Sequence, residues 1–287
     1  MSTPADALRT LLQRPGLLAM PGCHDALSAK LIEQAGFEIG FMSGFAVSGA
    51  RLALPDTGLI SYGEMVDQGR NICEAVSIPM FGDGDTGFGN PLNVKRTVRG
   101  YARAGFACIM IEDQVAPKRC GHTRGKAVVS RDEALMRIQA AVDARNEGDD
   151  ILIMARTDAR ATEGLDEAIE RCRLFREIGA DISFLEAPES EQEMIRYCAE
   201  VEGPKMANMI EHGKTPVLPA KRLEEIGYKI AVYPLTLLNV SILAMREALQ
   251  SIRAGDAPER VLDFSELTEA VGFPEYYDGE QRYACEK

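Results

Sequence analysis

PMFGDGDTGFGNPLNVKRTVRGYARAGFACIMIEDQ, residues 79–114, decides the fold. It opens on a short apolar run that ends in acid, PMFGDGD (79–85). It continues through an amphipathic stretch, NVKRTVRGYARAG (93–105). It closes on a second apolar run ending in acid, CIMIEDQ (108–114). A strand, a helix and a strand follow one another with almost nothing between them.

The same alternation extends in both directions. LLAMPG (17–22) and EIGFMSG (38–44) lie upstream. ILIMARTD (151–158), DISFLEAP (181–188), PKMANMI (204–210) and YKIAVYP (228–234) lie downstream. Helical patterns separate most of them. In DEAIERCRLFREIGA the apolar residues Ala168, Ile169, Cys172, Leu174, Phe175 and Ile178 recur at helical spacing. The repeated endings AGF, AGF, IGA and IGY place glycine where a helix terminates before the next strand. Eight strands alternating with helices predict an α/β fold, a (β/α)8 TIM-type barrel. The alternative is a doubly wound open sheet. No GxxxxGK[ST] follows a strand, which counts against a nucleotide site of that kind.

A chain of 287 residues, 46% hydrophobic, can fill one such barrel, and one domain over 1–287 is expected. Two parts exceed the eightfold pattern. Residues 45–78 form a long connection after the second strand, and a helical extension begins at about residue 237. Its LLNVSILAMREALQSIRAG is apolar on most faces, which suits packing against another subunit.

The net charge of −12 argues against nucleic acid or an anionic membrane as partner. No apolar run reaches the ~18 residues of a membrane span, and the first residues lack the pattern of a secretory signal. Seven cysteines, with no CxxC pair, fit a reducing cytoplasm better than a disulfide framework.

In a barrel, chemistry collects at the C-terminal ends of the strands. Here those ends read Gly22-Cys23-His24-Asp25, Ser43-Gly44, Asp83-Gly84-Asp85, Glu112-Asp113, Arg156-Thr157-Asp158, Glu186 and Asn208. Seven polar ends on one rim predict a site for a charged small molecule. Asp83 and Asp85, two apart on one strand, would share a face. With Glu112 they make an all-oxygen set suited to Mg²⁺ or Mn²⁺, or else a pair of capping aspartates. Arg156 suits a bidentate grip on a carboxylate, or a structural pair with Asp158 or Glu186. Asp56 reads as a supporting acid or a helix cap. His122 and Asn208 could hydrogen-bond a second carboxylate. Cys120 stands in KRCGH (118–122), where Lys118, Arg119 and His122 would favour its thiolate. It could serve as nucleophile or acid/base, or remain an inert buried thiol.

KRCGH after IEDQ, with DGDTGFG before it and ARTDA after it, resembles the isocitrate lyase / phosphoenolpyruvate mutase superfamily from about Leu17 to Pro234. GDGDTG, CGHTRGKAVV, ARTDARATEGL and ANMIEHGKTP look closest to the 2-methylisocitrate lyase, 2,3-dimethylmalate lyase and petal-death-protein type branches. The resemblance implies Mg²⁺-dependent carbon–carbon cleavage of a 2-hydroxy di- or tricarboxylate to pyruvate and a second acid. It implies Asp85 as principal metal ligand, with Asp83, Glu112 and Asp56 assisting. Ser43, Gly44 and Arg156 would bind one carboxylate. Gly121, His122 and Asn208 would bind the other, with Glu186 alongside. Cys120 would be the general acid, aided by the charge of Lys118. It also implies a moving loop around KRCGH and a homodimer or tetramer with a helix exchanged between subunits. Phe41 departs from the tyrosine of methylisocitrate lyases, which removes a hydroxyl and makes the pocket more apolar. Oxaloacetate hydrolase, releasing oxalate and acetate, shares the motifs. Phosphonopyruvate mutases and hydrolases generally lack the cysteine loop.

Overall fold

The computed structural model describes residues 3–119 and 125–284. Its elements in chain order are α1 (Pro4–Gln13), β1 (Leu18–Cys23), α2 (Ala26–Gln34), β2 (Gly40–Met42), α3 (Gly44–Val47), α4 (Tyr62–Ala75), β3 (Met80–Asp83) and α5 (Pro91–Ala104). There follow β4 (Cys108–Glu112), α6 (Arg131–Asn146), β5 (Leu152–Thr157), α7 (Leu165–Ile178), β6 (Ile182–Leu185), α8 (Glu191–Glu200), β7 (Met206–Asn208), α9 (Ala220–Ile226) and β8 (Ile230–Tyr233). The chain ends with α10 (Thr236–Ala254), α11 (Phe264–Ala270) and α12 (Phe273–Arg282). Each of the eight expected strands is present; the first is shifted by one residue to Leu18–Cys23 and the other seven are shortened at one or both ends. The chain divides into two compact units after Leu238, within α10.

In the first unit all strands run parallel in the order β6-β5-β4-β3-β2-β1-β8-β7. A bridge between Ser183 and Lys205 joins β6 to β7 and closes the ring. This excludes the open doubly wound sheet. Strand alternation explains the packing. Met20, Phe41, Phe81, Met110, Met154, Phe184, Met206 and Val232 form one buried cluster, the barrel interior. Their neighbours, such as Met42, Ile109, Ile111, Ile153 and Ala155, belong to a second cluster shared with the surrounding helices. Each such fully buried side chain contributes about 1.5–3 kcal/mol relative to exposure. Ala5 and Leu8 of α1 join the interior cluster, so the N-terminal helix packs onto the barrel core. The glycine endings terminate helices as expected. Gly105 (φ 100°) and Gly179 (φ 113°) sit in the left-handed region, at the C-caps of α5 and α7.

The connection after β2 is helical: α3, then a π-helical turn over Ser48–Leu52, then α4 capped by Ser61. Asp56 caps none of these helices, which removes the capping alternative for it. Cys23, Cys73, Cys108, Cys172 and Cys198 are unpaired thiols, pushed up by burial. Among the described residues no helix is long and apolar enough to cross a membrane.

The second unit, with α11 and α12, exposes Val261, Leu262, Phe264, Leu267, Val271, Phe273, Tyr276 and Tyr277. On α10, Val240, Leu243, Met245, Leu249 and Ile252 are more than half exposed, and Leu238 is the buried residue recorded for that helix.

Candidate active site

The C-terminal ends of the strands frame a cleft. Its polar wall includes Ser43, Asp56, Asp83, Lys118, Arg119, Arg156, Glu186 and Asn208. Its apolar wall includes Phe41, Phe45, Phe184, Leu235 and Pro234. Leu185 is not part of it. Strand alternation turns Leu185 outward into a cluster with Ala168 and Ile169, while Phe184 faces the barrel interior.

Asp83 and Asp85 do converge, but not through strand periodicity. β3 ends at Asp83, and Asp85 follows in a turn with φ 48°. The turn is held by Gly87 N donating to Gly84 O (2.9 Å) and by Asp85 N donating to Asp83 Oδ1 (3.1 Å). Gly44 N donates to Asp83 Oδ2 (3.2 Å). A Cβ at Gly44 would lie 2.7 Å from that oxygen, so the acid cluster requires glycine there. Gly82 to Gly87 also fits the GxGxxG spacing of dinucleotide sites. Its Asp83 and Asp85 carboxylates would repel a pyrophosphate.

Lys118 fills the centre of the acids. Its Nζ lies 2.6 Å from Asp56 Oδ1 and 2.9 Å from Asp85 Oδ1, with all three side chains 5% exposed. Among the described residues neither oxygen receives a well-aligned hydrogen bond, although both distances are those of close ion pairs. The ammonium therefore sits as a point charge between carboxylates, much as a small cation would. Burial pushes the Asp85 carboxyl up to about 7, with Asp83 and Asp56 adding to the rise against the pull of Lys118. Burial also pushes Glu112 well up, opposed by Arg156. For Lys118, burial favours the neutral amine, but Asp85, Asp83, Asp56 and Glu112 outweigh it and hold the ammonium well above its ordinary range. Lys118 lines the cleft; Asp85 and Glu112 do not.

Arg156 adopts the structural pairing and also lines the cleft. Its Nε donates to Asp158 Oδ2 (2.8 Å) and its Nη2 to Asp158 Oδ1 (3.1 Å); Glu112 Oε2 lies 3.3 Å from Nε. Its guanidinium stands 5.3 Å from the Phe184 ring centre. Burial would favour its neutral form, but Asp158, Glu186 and Glu112 raise it further. Asn208 Nδ2 donates to Glu186 Oε2 (3.2 Å). Ser43 caps α3 while facing the cleft.

Cys120, Gly121 and His122 lie outside the described residues. The arms of their loop are described. Val115 N donates to Ala127 O (2.8 Å) and Val129 N to Asp113 O (2.9 Å), which zips the two arms together. Two of the polar strand ends do other work. Asp25 caps α2. Asp113 accepts from Thr157 Oγ1 (2.6 Å), Asp158 N (2.9 Å) and Arg171 Nη1 (3.0 Å). Sequence reading missed Lys126, whose Nζ lies 2.9 Å from Asp158 Oδ1. Its position in TRGK, in the arm opposite Lys118, was the available signal.

A resident cation fits this donor set. Asp56, Asp83, Asp85 and Glu112 offer oxygen alone, and Glu112 Oε1 is buried without a hydrogen-bond partner among the described residues. No three His, Cys, Asp or Glu among the described residues form a ready-made cage. Magnesium needs less than that: one or two carboxylates, with water and substrate completing its shell.

A closed (β/α)8 barrel whose strand ends gather buried acids, an ammonium and an arginine in one cleft belongs to the barrel enzymes that act on small anions. The family described as phosphoenolpyruvate phosphomutase matches residues 8–253, and this chain belongs to it. Among curated relatives, the 2,3-dimethylmalate lyase of Eubacterium barkeri is 44% identical over 99% of both chains. The 2-methylisocitrate lyase of Aeropyrum pernix is 42% identical over 99% of this chain and 91% of its own. Among solved structures, oxaloacetate acetylhydrolase with 3,3-difluorooxalacetate superposes with a TM-score of 0.94 at 34% identity, covering 97% of this chain and 96% of that one. Phosphonopyruvate hydrolase with oxalate and Mg²⁺ gives 0.87 at 29%, covering 98% and 99%. The chain is a carbon–carbon lyase of this superfamily.

Proposed function

We propose that the enzyme cleaves the C2–C3 bond of a 2-methyl-2-hydroxy di- or tricarboxylate with Mg²⁺ (Mn²⁺ as a substitute). 2-Methylisocitrate would give pyruvate and succinate; 2,3-dimethylmalate would give pyruvate and propionate. The observation that carries this reading is the cleft itself, with buried carboxylates and Lys118 beside Arg156, facing an apolar wall that includes Phe41. The chemistry supports it. The C2 hydroxyl loses its proton and becomes the carbonyl of pyruvate. The electrons of the broken bond pass to C3 and its carboxylate, and C3 takes up one proton.

Asp85, with Asp83, Glu112 and Asp56, would hold the metal. Bound Mg²⁺ supplies positive charge that favours loss of the hydroxyl proton. Arg156, Ser43 and Gly44 orient one carboxylate; Gly121, His122 and Asn208 address the other, with Glu186 alongside. Lys118 supports negative charge in the cleft, and Cys120 delivers the proton to C3. Phe41 has no hydroxyl, so it excludes water and leaves room for the C2 methyl group. The exposed apolar faces of α10 to α12 support a homodimer or homotetramer in which a second copy covers them, with a helix exchanged between subunits. Light scattering on the purified protein measures this directly.

The test is pyruvate release, coupled to lactate dehydrogenase, with Mg²⁺ and 2-methylisocitrate, 2,3-dimethylmalate or citramalate, and glyoxylate release with isocitrate. Oxaloacetate is followed separately by loss of its enol absorbance. Pyruvate from a 2-methyl substrate is the expected result. Consumption of oxaloacetate alone would move the chain to the hydrolase branch, since oxaloacetate acetylhydrolase and 2,3-dimethylmalate lyase superpose on it about equally well, with TM-scores of 0.94 and 0.93.

A further inference from the structure

We infer that Lys126 is a positioning residue for Arg156, acting through Asp158, and that its charge sets the carboxylate affinity of the cleft. The inference rests on the proposed reading of Arg156 as a carboxylate-binding residue.

Lys126 is fixed from both sides. Its neighbours Ala127 and Val128 are zipped to Val115 and Gln114 across the neck of the loop. Its ammonium is bonded to Asp158, with the two side chains 3% and 0% exposed. Asp158 is held by its own backbone N–H, which donates to Asp113 Oδ1 (2.9 Å). That aspartate is in turn gripped by Thr157 and Arg171. Among the described residues Asp158 Oδ2 takes Arg156 Nε, whereas Oδ1 serves both Arg156 Nη2 (3.1 Å) and Lys126 Nζ (2.9 Å). One carboxylate oxygen is therefore shared between the cleft arginine and a lysine that does not line the cleft.

Charge arithmetic gives the sharing a consequence. Counting each described group at its full formal charge, Arg156 and Lys126 face Asp158, Glu112 and Glu186, a sum of −1; a proton on Glu112 shifts every sum below by the same one unit. Without Lys126 the sum is −2, and Asp158 is left to neutralise Arg156 alone. Burial keeps these charges from being screened by water. A substrate carboxylate then meets a guanidinium whose charge is already matched, and a more negative surrounding. Lys126 thus keeps Arg156 aimed by Asp158 without letting Asp158 cancel it.

The experiment is calorimetric titration of oxalate into the full-length protein at constant excess Mg²⁺. Lys126→Met is expected to weaken oxalate by about tenfold. Lys126→Arg, which restores the charge, should bind within about threefold of wild type. Lys126→Gln keeps a donor to Asp158 but not the charge; it should follow Lys126→Met, and it serves if that variant does not fold. Lys126→Met with Asp158→Asn returns the formal sum to −1 and should recover much of the affinity. In turnover, KM should rise more than kcat falls. A purely structural lysine would lower the melting temperature of the variants and leave oxalate affinity of the folded protein unchanged; that result overturns the inference. Arg156→Met separates the two levels. If it loses oxalate while Lys126→Met and Lys126→Gln keep it, the role of Lys126 is wrong and the carboxylate reading stands. If Arg156→Met binds like wild type, that reading fails and the inference with it.

Discussion

Lys118→Met tests the electrostatic design of the cleft, because it should act in opposite directions on the metal-free and metal-loaded protein. Lys118 Nζ lies within 3 Å of Asp56 Oδ1 and Asp85 Oδ1, at 2.6 and 2.9 Å, in a place 5% exposed. Removing one partner of a buried pair costs about 3–5 kcal/mol. Asp85 can relieve part of that by taking a proton, since burial already holds its carboxyl near 7. We therefore expect a loss of about 2–3 kcal/mol at pH 8, where that relief is smallest, and less at pH 6. For a chain of this size that is roughly 4–12 °C in melting temperature. Mg²⁺ should then stabilise the variant more than the wild type. In the wild type the cation competes with an ammonium already held between the acids; in the variant it does not. Differential scanning fluorimetry over a Mg²⁺ series at pH 6 and pH 8 reads both effects. An unchanged metal-free midpoint would refute the ion-pair argument, and equal Mg²⁺ shifts in the two proteins would refute the competition.

Gly44→Ala should cost about 1–3 kcal/mol through overpacking against the Asp83 carboxylate and should weaken Mg²⁺ binding; titration with Mn²⁺ followed by paramagnetic resonance checks the second effect. The raised carboxyl of Asp85 gives a pH dependence of defined sign in the metal-free protein. Moving from 3.8 unfolded to about 7 folded corresponds to about 4 kcal/mol, present below pH 3.8 and lost as pH rises through about 7. The stability of wild type relative to Asp85→Asn, measured by urea unfolding, should therefore fall by up to about 4 kcal/mol from acid to pH 8, to the disadvantage of wild type; a flat difference sinks the assignment. Cys120→Ser should abolish most turnover while leaving Mg²⁺ and oxalate binding near normal, and near-normal turnover would remove Cys120 from the proton step.

The barrel was legible because its signals are local. Each strand is a short apolar run, each helix a periodic one, and glycines such as Gly105 and Gly179 punctuate them. The two faces of a strand were harder to assign. Phe184 and Leu185 are adjacent and equally apolar, and the pleat alone sends one to the cleft side and the other to the helices. α1 was missed as part of the barrel core, because nothing in PADALRTLLQ says which surface it will cover.

The residue types of the site were legible, and their partners were not. Asp83 and Asp85 met as expected, but through a turn with Asp85 at φ 48° rather than through strand alternation. A spacing of two satisfies both geometries. Arg156 had two readings, carboxylate binder and structural partner of Asp158, and the fold joins them: the same guanidinium is held by Asp158 and lines the cleft. Sequence treats such readings as rivals because it shows one residue at a time, whereas a buried arginine needs a fixed partner before it can present its charge to a ligand. The same holds for Lys118. Read beside Cys120, it looked like a cation tuning a thiol; in the fold its ammonium neutralises acids from two other segments, Asp56 before α4 and Asp85 after β3. Pairings over tens of residues are fixed by barrel closure, and that is the part of the site that pattern and spacing cannot reach.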